Sequence, residues 1–343
     1  MAVAELVAHR RFALRENPVP DPPPGCVQVK VEAVGICGSD LHYFSEGRIG
    51  DTPCRYPQVL GHEPAGVVLA VGEGVTSWAA GDRAALEPPL YCYHCEMCMS
   101  GRHNLCLHGD FMSSPTAPGY FRDRVNLPAA NLLPLPKNLG FAEATLYEPI
   151  AIVLHSFRFA QPQVGENVAV FGTGPIGLAT IACLRLAGVR RIWAVEPVQH
   201  RRELAVELGA DVAIDPRQTD PVAEIRRDTG RGVHLAIDCA TKEDTINQCL
   251  RVARPGGRVC ITGVPSEVRV PLEFHTMRSK ELGFYSVRRS NHVSEPALEL
   301  LSGESRRFTP MISHRHLLDE VQQCFETLES YADGAVKMVL YPR

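Results

Sequence analysis

Val168-Ala169-Val170-Phe171-Gly172-Thr173-Gly174-Pro175-Ile176-Gly177 decides the fold of much of this chain. Four apolar residues read as a buried strand, three glycines follow at Gly-x-Gly-x-x-Gly spacing, and 178–186 reads as a helix stopped by Gly188. Glycines here let the turn tighten, let backbone amides approach a pyrophosphate, and let the helix pack on the strand with phosphates at its amino end. A second strand, Arg191-Ile192-Trp193-Ala194-Val195, ends in Glu196, 19 residues beyond Gly177. A carboxylate there accepts hydrogen bonds from adenosine ribose hydroxyls. Gly172, Gly174, Pro175, Ile176, Gly177, Glu196 and Arg201 are therefore the expected dinucleotide contacts. A 2′-phosphate would face Glu196, which favours NAD, whereas His200, Arg201 and Arg202 could hold that phosphate and leave NADP as the alternative.

Downstream, strands and helices keep alternating. A helix at 203–208 stops at Gly209, and strands follow at 212–214, 234–238, 258–263 and 282–286, with a helix from about Glu243 to Val252 between them. Six strands in this rhythm predict a doubly wound parallel α/β sheet. Two amphipathic stretches, 295–301 and 318–328, and a strand at 335–340 close the chain.

Upstream, the first 155 residues read as β-rich, with short strands broken by Gly and Pro turns, which favours a small barrel or sandwich. Two turns there carry chemistry: Gly35-Ile36-Cys37-Gly38-Ser39-Asp40-Leu41-His42-Tyr43 and Gly61-His62-Glu63. A thiolate, an imidazole and a carboxylate suit a metal site with one position open. Cys92, Cys95, Cys98 and Cys106 form a denser motif, able to wrap one tetrahedral Zn²⁺ with no open position. An iron–sulfur cluster is the alternative, against which stands the absence of a second cluster motif or a following Cys-Pro. Further on, Glu148 precedes Pro149 at a helix start, where an acidic residue also suits the helix dipole. The expected division is 1–155 with a metal lobe at about 88–108, a nucleotide domain at 156–286, and a return of 287–343 to the first domain.

Composition narrows the class. The chain has 343 residues, 45% hydrophobic and 22% charged, with a net charge of −4. That length favours two domains. Basic residues come only in short pairs such as Arg190-Arg191, so no nucleic-acid partner is expected. No apolar run reaches membrane-spanning length, and the amino terminus lacks a basic region followed by an apolar core, so no membrane association and a cytoplasmic location are expected. Twelve cysteines in a reducing compartment point to metal rather than disulfides.

Taken together, these motifs resemble the zinc-containing medium-chain dehydrogenases over essentially the whole chain, most closely their polyol branch, the sorbitol dehydrogenase type. The resemblance implies a GroES-like catalytic domain, a Rossmann domain, and an active site in the cleft between them. It implies catalytic zinc held by Cys37 and His62 with Glu63, Glu148 or both, and structural zinc on the four cysteines. Glu148 stands where alcohol dehydrogenases of the family carry a second cysteine. Ser39 and His42 would pass on the substrate's hydroxyl proton, Tyr43 and Phe111 would shape the pocket, and Arg288 would contact substrate. Arg289 stands where polyol relatives often carry an aromatic residue, and two adjacent arginines suit an aldonate carboxylate, as in idonate. The implied reaction is hydride transfer from a secondary hydroxyl of a polyol or sugar acid to NAD, by a homodimer or homotetramer. The alternatives are another zinc alcohol or threonine dehydrogenase, and a non-catalytic nucleotide-binding relative.

Overall fold

Three alternating valines, Val27, Val29 and Val31, are completely buried in the Cys26–Gly35 strand of the computed structural model, which describes residues 2–242 and 244–342. Partners on both sides explain the burial. Glu63–Val71 runs antiparallel along one edge, and Arg124–Pro128 and Lys337–Tyr341 share the other. A seven-stranded sheet results, in the order Leu132–Pro134, Arg83–Leu86, Glu63–Val71, Cys26–Gly35, Lys337–Tyr341, Ile312–Leu317, with Arg124–Pro128 joined to the central strand. A smaller sheet sets Ala2–Ala8 between Arg11–Glu16 and Gln58–Val59. Phe12, Phe44, Phe121 and Phe325 stack and tilt against one another in the core of this unit. Phe44, Phe121 and Phe325 are fully buried and contribute about 1.5–3 kcal/mol each, while Phe12 packs against them half-buried.

The chain divides into two units. One comprises Met1–Glu148, Ser294–Ser305 and Ile312–Arg343, the other Pro149–Val293 and Arg306–Met311. The helix Tyr147–Ala160 runs across the first border, between Glu148 and Pro149.

The second unit is a six-stranded parallel sheet in the order Val212–Ile214, Arg191–Val195, Asn167–Phe171, Val233–Asp238, Ala253–Ile261, Gly283–Ser286. Numbered along the chain, that order is 3-2-1-4-5-6, the doubly wound arrangement in which a dinucleotide lies across the carboxyl ends at the reversal between strands 1 and 4. Buried Phe171, Trp193, Ile225 and Ile261 fill its core against the helices. The helix expected from Glu243 runs over Thr245–Val252, and Glu243 itself lies outside the described residues. Lys280 Nζ ties the end of that helix down by donating to the carbonyls of Leu250, Arg251 and Ala253. Among the described residues, no helix is long and apolar enough to cross a membrane.

Candidate active site

Cys37 caps a nine-residue helix, Gly38–Glu46, in extended backbone conformation, and Gly47 ends that helix in the left-handed region at φ 69°. Three residues on, the Asp40 side chain accepts from the Cys37 amide at 3.1 Å, the Gly61 amide at 3.1 Å and Ser113 Oγ at 2.8 Å. One buried carboxylate thus ties together the two turns that carry the candidate ligands. The same Oδ1 lies 3.3 Å from His62 Nδ1, without the alignment of a full hydrogen bond. The other ring nitrogen, Nε2, lies 3.4 Å from Ser39 Oγ.

Glu63 begins its strand directly opposite Gly35. A Cβ at Gly35 would stand 2.2 Å from Glu63 Oε2, so only glycine admits the carboxylate here. Both Glu63 oxygens accept from Lys337 Nζ, at 2.7 and 2.6 Å, and the same ammonium donates to the Ile36 carbonyl at 3.1 Å. Lys337 is completely buried. Burial opposes its charge, but Glu63, followed by Cys37 and Glu148, outweighs that and raises its pKa.

Donor atoms of Cys37, His62 and Glu63 all lie within 4.8 Å of one another. Glu148 is buried in the same pocket but outside that converging group, and no hydrogen bond among the described residues engages its carboxylate. Burial lifts its pKa to about 7; His62 pulls it down, Glu63 pushes it up, and Lys337 lowers it. Three buried carboxylates, Asp40, Glu63 and Glu148, share this pocket with the half-buried Cys37 thiol, His62 and one lysine, a set of donors that a divalent cation would draw together. One thiolate, one imidazole and one carboxylate fit Zn²⁺ with a fourth position open.

The four-cysteine lobe passes a sharper test. Its Sγ atoms stand 3.4 Å (Cys92 to Cys106), 3.9 Å (Cys95 to Cys106) and 4.0 Å (Cys92 to Cys98) apart. A tetrahedron with Zn–S bonds of 2.3 Å has an edge of about 3.8 Å. Amides of Cys92 and Cys95 point at Cys106 and Cys92 sulfurs, at 3.4 and 3.3 Å, as thiolates require.

Of the other expected residues, Phe111 lies against the His62 ring, with centroids 5.4 Å apart. His42 pairs with Glu46 at 2.8 Å, one turn along its own helix. Tyr43 is buried in the core of the first unit. Arg288 and Arg289 belong to the second unit, just after the Gly283–Ser286 strand, with Arg289 in the left-handed region at φ 55°. Arg158 holds the segment that follows by donating to the Asn291 and His292 carbonyls.

In the nucleotide unit, Gly172 is left-handed at φ 84°, and a Cβ on Gly177 would stand 1.9 Å from the Gly172 carbonyl. Pro175 and Ile176 open the helix Pro175–Leu186 directly behind Gly174. Glu196 is fixed by the amides of Thr173 and Val198, at 2.8 and 3.0 Å, and keeps lone pairs for a ribose. Arg202 is committed to the Glu196 and Pro197 carbonyls and to Asp215. Arg201 reaches over the loop, its Nη1 3.9 Å from where a Gly174 Cβ would be.

Sequence reasoning missed Asp40 and Lys337. Both left a signal. Asp40 stands three residues after Cys37, where a helix-capping carboxylate belongs, and Lys337 is the single charge in the apolar run 335–340.

Residues 23–137 match the alcohol dehydrogenase GroES-like domain, and 175–303 the zinc-binding dehydrogenase domain. The sorbitol dehydrogenase of Bacillus subtilis (strain 168) is 32% identical, across 100% of this chain and 97% of that protein. The chain belongs to the zinc-containing medium-chain dehydrogenases. Another member, the L-idonate 5-dehydrogenase of Vitis vinifera, is 35% identical over 98% of this chain and 94% of its own. Among solved members, a zinc-binding dehydrogenase of Sinorhizobium meliloti 1021 bound to NADP superposes with a TM-score of 0.92 at 31% identity, covering 99% of each chain.

Proposed function

We propose that this dehydrogenase removes a hydride from a secondary hydroxyl of a polyol or sugar acid and delivers it to NAD. The convergence of the Cys37, His62 and Glu63 donor atoms within 4.8 Å of one another carries the reading, in a chain whose other unit has the dinucleotide topology. Zinc there would supply Lewis-acid polarisation of the substrate hydroxyl. Asp40 fixes the Cys37 turn and faces the far side of the His62 ring, so both donors stay aimed while substrate exchanges. Ser39, beside His62 Nε2, takes the hydroxyl proton, and His42, three residues along the same helix, passes it toward solvent with Glu46. Glu148, free of hydrogen bonds among the described residues, holds water or the substrate hydroxyl, and Phe111 walls the pocket beside His62. Cys92, Cys95, Cys98 and Cys106 hold a structural zinc.

NAD is favoured over NADP because Glu196 is fixed where a 2′-phosphate would meet its charge, and Arg202 is committed to protein partners. Arg288 and Arg289 favour an aldonate carboxylate over a neutral polyol. The related sorbitol and L-idonate dehydrogenases support both substrate types. The purified protein, zinc-loaded, is expected to reduce NAD with sorbitol, xylitol or L-idonate, and NADP more slowly. Reduction of neither coenzyme across that panel at full metal content overturns the reading.

A cytoplasmic homodimer or homotetramer is the assembly we propose. Supporting it, Gly283–Ser286 is an edge strand, and Val264, Val268, Leu272 and Phe274 just before it are exposed. Light scattering after size exclusion tests it, and a monomer at micromolar concentration overturns it.

A further inference from the structure

We infer that Lys337 is a positioning residue that competes with the metal for Glu63 and so keeps the centre open. The inference rests on the reading of Cys37, His62 and Glu63 as zinc ligands. Glu63 does not need Lys337 to be held in place. Its backbone is fixed by pairing with Gly35, and its carboxylate fills the space that the missing Gly35 Cβ leaves. What Lys337 adds is charge and occupancy: one fully buried ammonium donating to both carboxylate oxygens, at 2.7 and 2.6 Å. Each of those bonds engages one of the two lone pairs on its oxygen and weakens the donor left for a metal, and in a buried pocket the positive charge also repels a cation. Glu63 is therefore a restrained donor. The competing role, in which Lys337 merely preorganises the site, predicts weaker metal binding when it is lost.

The test is metal binding rather than turnover. Wild type, K337M, E63Q and the double variant are stripped and titrated with Zn²⁺ against a chromogenic chelator, and with Co²⁺ for its visible ligand-field bands. Wild type should bind two equivalents. In K337M the four-thiol class is expected unchanged, and the second class tighter by about tenfold or more, with shifted Co²⁺ bands as Glu63 closes on the ion. Zinc should also raise the melting temperature of K337M more than that of wild type, because the ion then becomes the partner of an otherwise unpaired buried carboxylate. In the E63Q background, K337M should leave the Co²⁺ spectrum unchanged and tighten binding by less than it does beside Glu63, since only the direct charge repulsion is then relieved. If K337M is not recovered folded, K337Q, which keeps one neutral donor, serves in its place with the same direction of change. Unchanged or weaker second-class binding in the lysine variant overturns the inference. So does an equal change with and without Glu63, which a purely structural role would give. Wild type binding a single equivalent overturns the reading of the centre and this inference with it.

Discussion

The four-cysteine lobe and the Cys37 pocket lie in the same unit and gather candidate ligands for the same kind of ion, yet they are built in opposite ways. The lobe takes all its donors from Cys92 to Cys106, spends backbone amides on its sulfurs, and leaves no protein position open. The pocket draws on two turns and the far end of the chain, and it mixes three donor types. Its surroundings are charged side chains rather than amides: Asp40 behind Cys37 and His62, Lys337 on Glu63. A shell closed by identical thiolates resists exchange, while one restrained by outside charges leaves room for a reacting hydroxyl.

The sharpest way to break this contrast is to remove a donor from the open site. H62A is expected to lower kcat/KM by roughly 10³-fold or more, the equivalent of about 4 kcal/mol of lost electrostatic stabilisation. Zinc content should fall from two equivalents to one with the fold intact by circular dichroism. Activity within tenfold of wild type would mean that the pocket is not the reacting centre.

A smaller effect is expected one layer out. D40N keeps the shape of the side chain but removes the charge that faces His62 and receives the Cys37 and Gly61 amides. Affinity of the second zinc should fall about 10–100-fold, the usual cost of losing an outer partner of a ligand. Unlike H62A, this variant should regain most of its kcat when zinc is in excess. If excess zinc restores nothing, Asp40 acts on the chemistry itself rather than through the ligands.

The two sites also differ in how far the sequence exposes them. The lobe is legible because short turns within one segment set its geometry, so spacing is geometry. The doubly wound sheet is legible for a related reason: each strand–helix unit repeats a local pattern, and the strand ending in Glu196 lies directly beside the one that feeds the glycine turn. The pocket depends on pairing across the chain. Glu63 meets Lys337 only because both flank the Cys26–Gly35 strand, 274 positions apart in sequence. Nothing local in 335–340 announces that partner beyond one charge among apolar neighbours. Asp40 was hidden differently, since Gly38-Ser39-Asp40 reads as a turn, and the nine-residue helix that makes Asp40 a cap is stabilised by packing of Tyr43 and Phe44 into the core.

The last expected effect on catalysis is the smallest, and it sharpens the contrast most. C98S removes a buried ligand of the closed shell. The segment around it has little apolar core of its own, with Tyr93, Met99 and Leu107 exposed, so metal must supply most of its order. Losing roughly 2–3 kcal/mol there should lower the melting temperature by about 5–10 °C, while kcat/KM per folded molecule stays within about twofold of wild type. Chelator titration of the wild type should reproduce the same separation in time: activity disappears first as the open centre empties, and unfolding follows as the lobe gives up its ion. Simultaneous loss of both would show that the lobe supports the pocket directly, and the division between a structural shell and a reactive one would fall.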